Sequence, residues 1–417
     1  MNFAKRRSDW VALLKRGTVI GEETSLRIGL FCCVFLAFFE IGLLYGAEHR
    51  INASLGLRET YDDNVYLRDI DDLEHRFSPA VEFARTSELS SIAASAQLDI
   101  REYDDYDEFN TVEQVYGLSA SAVPGPNYEL SFNGSYRYDY TFNDVLEESG
   151  IIAERSRRKY TSLAPGVTFL VGPRDSMGLS YSFTMVDYDT DRYEDYDVNG
   201  LNLSWFHEFL NARTTFIGTV GALRAVYDRE PEDTEQTTYR ATAGFEHEIS
   251  ERADIGFTVG GRYTESEFSQ TVVVFPFVII TSETSYETGL LFDAFVRLRR
   301  ERSSVVFKLN RDVANSIYGE DITRDQVTVN LDFETSDRTR IGMSAAYRRS
   351  ETEGYIDDEE RQAYWVRPRI SYLFSEEVRL ELGYNYTWTE NRKTDDTDER
   401  NRVYLQLSMN WPGLFEW

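Results

Sequence analysis

Hydrophobic and polar residues alternate with a period of two along most of the chain, most clearly between Tyr364 and Trp388. In that stretch two alternating segments flank the short polar turn Ser375-Glu376-Glu377. A period of two predicts β-strands that have one apolar face and one polar or charged face. Because the same hairpin recurs along the chain, each time followed by a longer acidic loop, the pattern predicts a sheet between hydrocarbon and water.

Short turns separate the alternating segments at intervals of roughly forty residues, which suits a repeated strand–turn–strand–loop unit. The turns lie at 87–90, 124–127, 172–175, 210–213, 250–252, 300–302, 336–338 and 375–377. An opening strand at Arg50 to Tyr61 and a closing strand at Arg402 to Trp411 complete the set. The prediction is an all-β fold: a single antiparallel up-and-down transmembrane β-barrel of about 18 strands, with 16 as the alternative.

Composition agrees with a barrel and excludes a helical membrane protein. Aromatic residues make up 14% of the 417-residue chain, and no apolar run beyond the N-terminus approaches the ~20 residues that a membrane helix needs. On the apolar positions, tyrosines collect at the loop ends of the strands, whereas phenylalanines collect at the turn ends. Two such belts are typical of the outer surface of a membrane barrel. The net charge of -28 comes mostly from the long loops.

The N-terminus predicts a targeting segment. A long basic lead-in precedes the apolar stretch Ile28 to Tyr45, and Gly46 and Ala47 offer a cleavage point. Residues 1–47 are therefore predicted to be a signal peptide, and residues 48–417 the barrel. Cys32 and Cys33 fall inside the signal, so the mature chain has no cysteine, which suits passage through an oxidising periplasm.

Three strand segments share a pattern of proline, aliphatic residue and aromatic residue, at Pro79, Pro165 and Pro368. Each segment leads towards a short turn. Because proline removes a hydrogen bond from the ladder between strands, we expect bulges or bends at these points.

The polar face predicts the residues that line the lumen. Ten arginines on this face are candidates: Arg58, Arg101, Arg137, Arg240, Arg262, Arg297, Arg348, Arg367, Arg369 and Arg379. Acidic residues share the same face, and buried charges of either sign are costly unless they are paired or hydrated. Two interpretations remain open: a polar conduit that guides an anionic or hydroxylated substrate, or cross-strand ion pairs that hold the barrel's shape. Since the two signs nearly balance, strong anion selectivity is not predicted.

One predicted outer loop is unusually apolar, with Phe275, Pro276 and Phe277 at its tip. It is either the tip of two extended strands or a loop that folds into the lumen or docks on a partner. Catalysis has little support, because the four histidines lie in no recognisable nucleophile–base motif. No catalytic residue, metal site or cofactor is predicted. The segment Asp187 to Asp191 departs from a calcium loop at Arg192, where glycine is needed.

Two short stretches carry a family resemblance. Leu57-Arg58-Glu59-Thr60-Tyr61-Asp62-Asp63-Asn64-Val65-Tyr66-Leu67 and Arg76-Phe77-Ser78-Pro79-Ala80-Val81 resemble the opening of outer-membrane barrels of the "beta-barrel porin 2" type. Members of that group occur with exopolysaccharide systems, so the resemblance implies an outer-membrane passage for such a polymer. It transfers no catalytic residue.

The sequence thus predicts a porin-like channel in the cell outer membrane, with passage of a secreted exopolysaccharide as the first hypothesis. The alternatives are a general diffusion porin for small polar solutes and a non-conducting structural barrel. Expected partners are outer-membrane lipid and lipopolysaccharide, the barrel assembly machinery and periplasmic polysaccharide-export components. Nucleic acid is not an expected partner.

Overall fold

Eighteen antiparallel strands close into one barrel within the described part of the chain. The structure is a computed structural model that describes residues 46–141, 155–190, 192–228, 234–274, 277–315, 321–352 and 359–416. The barrel prediction is confirmed, with eighteen strands and not the alternative of sixteen. The predicted signal peptide, except for its last two residues, lies outside the described residues.

The strands follow one another in chain order around the barrel. They are β1 (Glu48–Asp62), β2 (Asp72–Thr86), β3 (Ser90–Tyr103), β4 (Thr111–Gly125), β5 (Tyr128–Tyr140), β6 (Arg157–Leu170), β7 (Asp175–Tyr188), β8 (Tyr196–Glu208), β9 (Thr214–Tyr227), β10 (Thr234–Ser250), β11 (Ala253–Val274), β12 (Phe277–Arg300), β13 (Ser303–Asn315), β14 (Asp321–Glu334), β15 (Thr339–Thr352), β16 (Glu359–Leu373), β17 (Val378–Asn391) and β18 (Asp396–Glu416). Each strand pairs with its neighbours, and β1 pairs with both β2 and β18, so the sheet has no free edge. All eight predicted turns join consecutive strands.

The closing strand is longer than predicted. The sequence predicted a strand that ends at Trp411, yet β18 continues past Pro412 to Glu416 beside β1. A register shift between Ile51 and Ala53 accommodates the extra residues. Gly413 adopts φ 62°, a left-handed conformation that favours glycine, and its N–H donates to Asn52 Oδ1 at 2.9 Å. A local irregularity therefore carries the strand past the proline.

The three strand prolines interrupt pairing without forming the expected bulges. Around Pro368, the pairs Val366–Tyr386 and Arg369–Gly383 keep one register, and only the pairs between them are missing. Pro79 and Pro165 leave the same kind of gap on the side of the following strand. No bulge forms at these points, because a missing N–H removes hydrogen bonds without adding a residue. The alternative expectation, a bend, stays a prediction.

The two faces of the sheet differ as the alternation predicts. Large apolar side chains are solvent-exposed on one face, for example Leu201 at 52% and Leu382 at 49%. Tyr263 of β11 stacks on Tyr286 of β12, with ring centroids 6.0 Å apart, and Tyr263 lies opposite Tyr239 of β10 in the register of the sheet. At the turn ends, further aromatic pairs form the second belt: Trp205–Phe216 at 5.3 Å and Phe216–Phe245 at 5.5 Å. No helix among the described residues is both long and apolar enough to cross a bilayer.

Candidate functional site: the barrel lumen

Contacts between distant strands show which face is the inside of the barrel. Ile322 of β14 packs in one cluster with Val186 and Tyr188 of β7, although β8 to β13 lie between these strands. Only side chains that point into a closed barrel can meet in this way. Successive side chains along a strand alternate between the two faces, so the polar face lines the lumen.

Small polar side chains line one part of the lumen. We call the lumenal positions Ser95, Ser119, Asn133, Ser135 and Ser162, on β3 to β6, the hydroxyl wall. A cavity of 460 Å³ lies against it. Gly117 adjoins Ser95 so closely that a Cβ at residue 117 would lie 2.7 Å from Ser95 Oγ. Short side chains thus leave the lumen open along this wall and present hydroxyl and amide groups to it.

All ten predicted lumenal arginines lie on the lumenal face. Among the described residues, ion pairs join Arg101 to Glu113 at 2.9 Å, Arg262 to Glu287, Arg297 to Asp254 at 2.8 Å, and Arg369 to Asp332 at 3.0 Å. These contacts fit the interpretation that ion pairs hold the barrel's shape.

The other arginines contact amide or aromatic groups. These contacts are Arg58 with Gln406 and the Tyr404 ring, Arg137 over the Tyr160 ring, Arg240 with Asn202, Arg348 with Gln326 and the Trp365 ring, and Arg367 over the Trp365 ring. Arg379 is exposed near the turn end of β17. An arginine that stacks on an aromatic ring keeps its full charge, since the ring only attracts the cation.

The sequence-based prediction did not single out the arginine members of two lumenal ion pairs that lie towards the loop ends of the strands. Arg158 binds Asp139 through two hydrogen bonds of 3.0 and 2.9 Å, and the two side chains are 3% and 8% exposed. Arg76 binds Asp99 at 2.8 Å. The alternation of the sequence could have identified these arginines, because each of them occupies a position on the polar face of its strand.

Asp62, Asp63 and Asn64 belong to the stretch 57–67 that carries the family resemblance. They bind the start of the β1–β2 loop, called the first loop below, to the closing strand β18. Asp62 accepts hydrogen bonds of 3.0 Å from Arg400. Asp63 Oδ2 accepts from Asn401 Nδ2 at 2.7 Å, and Asn64 Nδ2 donates to the Glu399 carbonyl at 2.7 Å. Three consecutive side chains thus bind three consecutive residues of β18. The motif therefore stabilises the seam where the barrel closes.

Beyond this anchor the first loop turns towards the lumenal face of β3. Tyr66 is 5% exposed and packs on Phe109 at 5.0 Å and on Tyr103 at 6.3 Å. Tyr66, Leu67 and Asp69 all have φ between 54° and 56°, a costly conformation for side chains other than glycine. Asn64 Oδ1 holds the Asp69 N–H at 2.8 Å. Packing and hydrogen bonds together hold this loop across part of the outer mouth.

The β7–β8 loop forms a second constriction. Tyr193 of this loop is 6% exposed and belongs to the cluster of Val186, Tyr188 and Ile322 that crosses the lumen. Asp195 accepts a hydrogen bond of 2.7 Å from the Tyr188 N–H. Burial raises the pKa of Asp195, and the nearby carboxylates Asp187 and Asp228 raise it further, although the bond from Tyr188 opposes them.

The apolar loop tip falls partly outside the described residues, because Phe275 and Pro276 are not among them. The backbone of β11 and β12 stays paired up to Val274 and Phe277 on either side. The choice between an extended hairpin and a plug therefore remains a prediction. Among the described residues there is no group of three or more His, Cys, Asp or Glu side chains that could hold a metal ion.

Comparisons with known proteins identify a family model for the C-terminal part of the chain and several barrels of related shape. The model, described as "Protein of unknown function (DUF2490)", matches residues 326–416, from β14 to β18. No curated protein matches the sequence.

Three solved structures illustrate the likeness in fold. The ferric yersiniabactin uptake receptor FyuA from Yersinia pestis is 10% identical, with a TM-score of 0.46 over 83% of this chain and 62% of the receptor. The ferric citrate transporter FecA is 10% identical, with a TM-score of 0.47 over 82% and 60%. OccK9 (OpdG) from Pseudomonas aeruginosa is 12% identical, with a TM-score of 0.46 over 87% and 98%. The chain thus spans less than two thirds of the first two proteins.

Proposed function

We propose that this chain is an outer-membrane channel that conducts a hydroxylated solute, and that the solute is a secreted exopolysaccharide. The outward apolar face with its two aromatic belts supports a position in a bilayer. The resemblance of residues 57–67 and 76–81 to exopolysaccharide-associated barrels supports the polymer. In this proposal the chain has neither a catalytic residue nor a cofactor.

The hydroxyl wall is the observation that carries the proposal. Sugars bind through many hydroxyl groups, each able to donate and accept, and serine and asparagine can reciprocate both roles. Short side chains also leave room, and the cavity beside this wall holds 460 Å³. A wall of this kind offers many weak and equivalent contacts, which suits a polymer that has to slide.

Diffusion of small polar solutes is the second candidate, and the outer mouth favours it. Tyr66 of the first loop and Tyr193 of the β7–β8 loop are both buried at the loop end of the lumen. A mouth narrowed in this way is easier for a monosaccharide to pass than for a chain. The two candidates share one lumen but differ in the size of solute that enters it.

A matched pair of double variants tests the role of the hydroxyl wall. Ser119→Leu with Ser135→Leu removes two hydroxyls, whereas Ala93→Leu with Ala164→Leu adds bulk to the same wall and keeps its hydroxyls. The measurement is the interruption of single-channel current in planar bilayers by neutral gluco-oligosaccharides of increasing length. A hydrogen bond contributes about 0.5–1.5 kcal/mol. The variant with Ser119→Leu and Ser135→Leu is therefore expected to bind oligosaccharides about tenfold more weakly than the variant with Ala93→Leu and Ala164→Leu.

The outcomes separate the candidates. Longer oligosaccharides that bind more tightly than glucose support polymer passage, whereas entry of glucose alone supports the diffusion porin. A wild-type barrel without measurable conductance contradicts both and favours a structural barrel. A deletion strain that displays its full exopolysaccharide contradicts the export assignment.

Partners follow from the same proposal. We propose that the acidic outer loops contact lipopolysaccharide through divalent cations, that β18 is the strand the barrel assembly machinery engages, and that periplasmic polysaccharide-export components meet the turn side. The aliphatic and aromatic alternation of β18, with Leu405 and Trp411 on its exposed face, supports the second of these assignments.

A further inference from the structure

A second lumenal cavity, away from the hydroxyl wall, combines charged side chains with an apolar surface. It has a volume of 340 Å³, within the range of about 300–1,000 Å³ for ligand pockets. Its lining runs from β8 to β13 and includes three arginines, Arg240, Arg262 and Arg311, together with two aspartates, threonines and aliphatic residues.

Arg240 is held by an amide. Its Nε and Nη2 donate to Asn202 Oδ1 at 3.2 and 2.6 Å, and within the described part of the chain no carboxylate forms an ion pair with it. Gly221 of β9 stands between the two residues, opposite both in register. A Cβ at residue 221 would collide with Asn202 Oδ1, so glycine is required for this contact. The contact orients the guanidinium without neutralising its charge.

The neighbouring arginine is directed elsewhere. Arg262 lies directly opposite Arg240 in the register of β10 and β11, but it forms an ion pair with Glu287 and donates to Thr264 Oγ1 at 3.0 Å. Gly289 beside it leaves room, since a Cβ there would lie 2.7 Å from Arg262 Nε. Two cations that would repel each other are thus separated, and only Arg262 receives a carboxylate.

The other residues that line the cavity indicate which kind of ring the ligand has. Thr238, Thr242 and Thr258 offer hydroxyls close to Arg240. Leu223 lies directly opposite Thr238 in the register of β9 and β10 and packs against Val198, Ala225 and Tyr227, an apolar cluster on the lumenal face. A sugar ring has hydroxyls at its edge and a C–H face, so it can use both surfaces.

The charge of the ligand follows from the same lining. A guanidinium matches a planar carboxylate with two parallel hydrogen bonds. Arg262, Arg311 and Asp312 also line the cavity, but each already has an ion-pair partner, whereas Asp293 adds a negative charge that disfavours a doubly charged group such as phosphate. The cavity therefore suits an anion of single charge.

We propose that this cavity is a binding subsite for a uronic acid unit, whose carboxylate binds Arg240 and whose ring packs against the surface formed by the threonines and the Leu223 cluster. This inference rests on the proposed channel function and names an acidic sugar as its substrate class. The unit is either a free uronate or one residue of an acidic polysaccharide. The chemistry of recognition is the same for both.

Current interruption by D-galacturonate, a tetra-galacturonate and glucose, measured with the full barrel in planar bilayers, tests the subsite. Charge-assisted hydrogen bonds are strong, so galacturonate is expected to bind the wild type about tenfold more tightly than glucose. Arg240→Gln is expected to remove this preference and leave glucose binding unchanged. Arg299→Gln, which removes a charge from the turn side, is the matched control and is expected to keep the preference. Arg240→Lys keeps the charge without the planar fork, so an intermediate preference is expected.

Each outcome supports or overturns the subsite. An Arg240→Gln barrel that conducts normally and still prefers galacturonate overturns it, as does an equal loss in Arg299→Gln. Glucose binding without any preference for galacturonate in the wild type overturns the subsite alone, whereas the absence of any sugar effect overturns the channel function too. With the subsite present, tighter binding of the tetramer per uronate unit identifies a polymer, and equal binding identifies a free acid.

Discussion

At the scale of single residues, a buried ion pair stabilises the seam of the barrel. The side chains of Asp62 and Arg400 are 2% and 5% exposed and lie where β1 meets β18. Removing one member of a buried pair leaves a charge without compensation, whereas exposed pairs contribute little. The seam is therefore sensitive to single substitutions.

Asp62→Ala is expected to lower the free energy of unfolding by about 3–5 kcal/mol, because it removes the carboxylate that binds the buried guanidinium of Arg400. The measurement is unfolding in urea, followed by tryptophan fluorescence with the barrel in lipid vesicles. Glu48→Ala breaks an exposed pair with Arg50 and is the control, with an expected loss of less than about 1 kcal/mol. Equal losses in the two variants would show that the seam does not depend on this pair.

At the scale of elements, each strand separates two environments, so neighbouring positions tolerate opposite substitutions. Leu201 of β8 lies on the apolar face and is 52% exposed, whereas Ser182 of β7 lies on the lumenal face at nearly the same height. A charge on the outer face would meet hydrocarbon, but one in the lumen would meet water. The effect of a new charge on the stability of the barrel therefore depends on which face of the strand carries it.

Leu201→Arg is expected to destabilise the barrel by about 2–4 kcal/mol near the midplane of the bilayer. Ser182→Arg, with the same new side chain on the lumenal face, is expected to cost much less. The fraction of each variant that folds into vesicles, measured by the shift in gel mobility on heating, checks this difference. If both variants folded equally well, the outer face would not be in contact with lipid.

At the scale of the whole molecule, closure of the barrel and folding of its loops together decide how wide the mouth is. The first loop is anchored to β18 by Asp63 and Asn64, and it places Tyr66 against the lumenal side of β3. The β7–β8 loop reaches the cluster that includes Ile322 of β14. Both constrictions exist only because strands distant in sequence face one another.

Tyr66→Ala is expected to raise single-channel conductance, because it removes a buried ring from the outer mouth. Tyr61→Ala, on the exposed face of β1 at 48% exposure, is the control and is expected to leave conductance unchanged. The measurement is single-channel recording in planar bilayers at high salt. An unchanged conductance in Tyr66→Ala would place the narrowest point of the lumen elsewhere, with Tyr193 the next position to vary.

The sequence by itself determined the strands, their turns and their two faces. These features are local: a period of two places every second side chain on one face, and short turns bring neighbouring strands together. The same alternation is the basis on which the ten arginines were predicted to line the lumen. The end of β18 and the effect of the strand prolines could not be predicted in this way, because both depend on the hydrogen bonds of the adjacent strand.

Only the tertiary structure decided which residues meet across the barrel. The partner of Arg240 is Asn202 across Gly221, and that of Asp62 is Arg400 at the other end of the chain. Such choices depend on the register of non-adjacent positions and on closure, which a one-dimensional alternation does not encode. The lumenal cluster around Leu223 likewise lies on β8 and β9, and β9 has apolar residues on both faces, so that periodicity alone does not distinguish its inside from its outside.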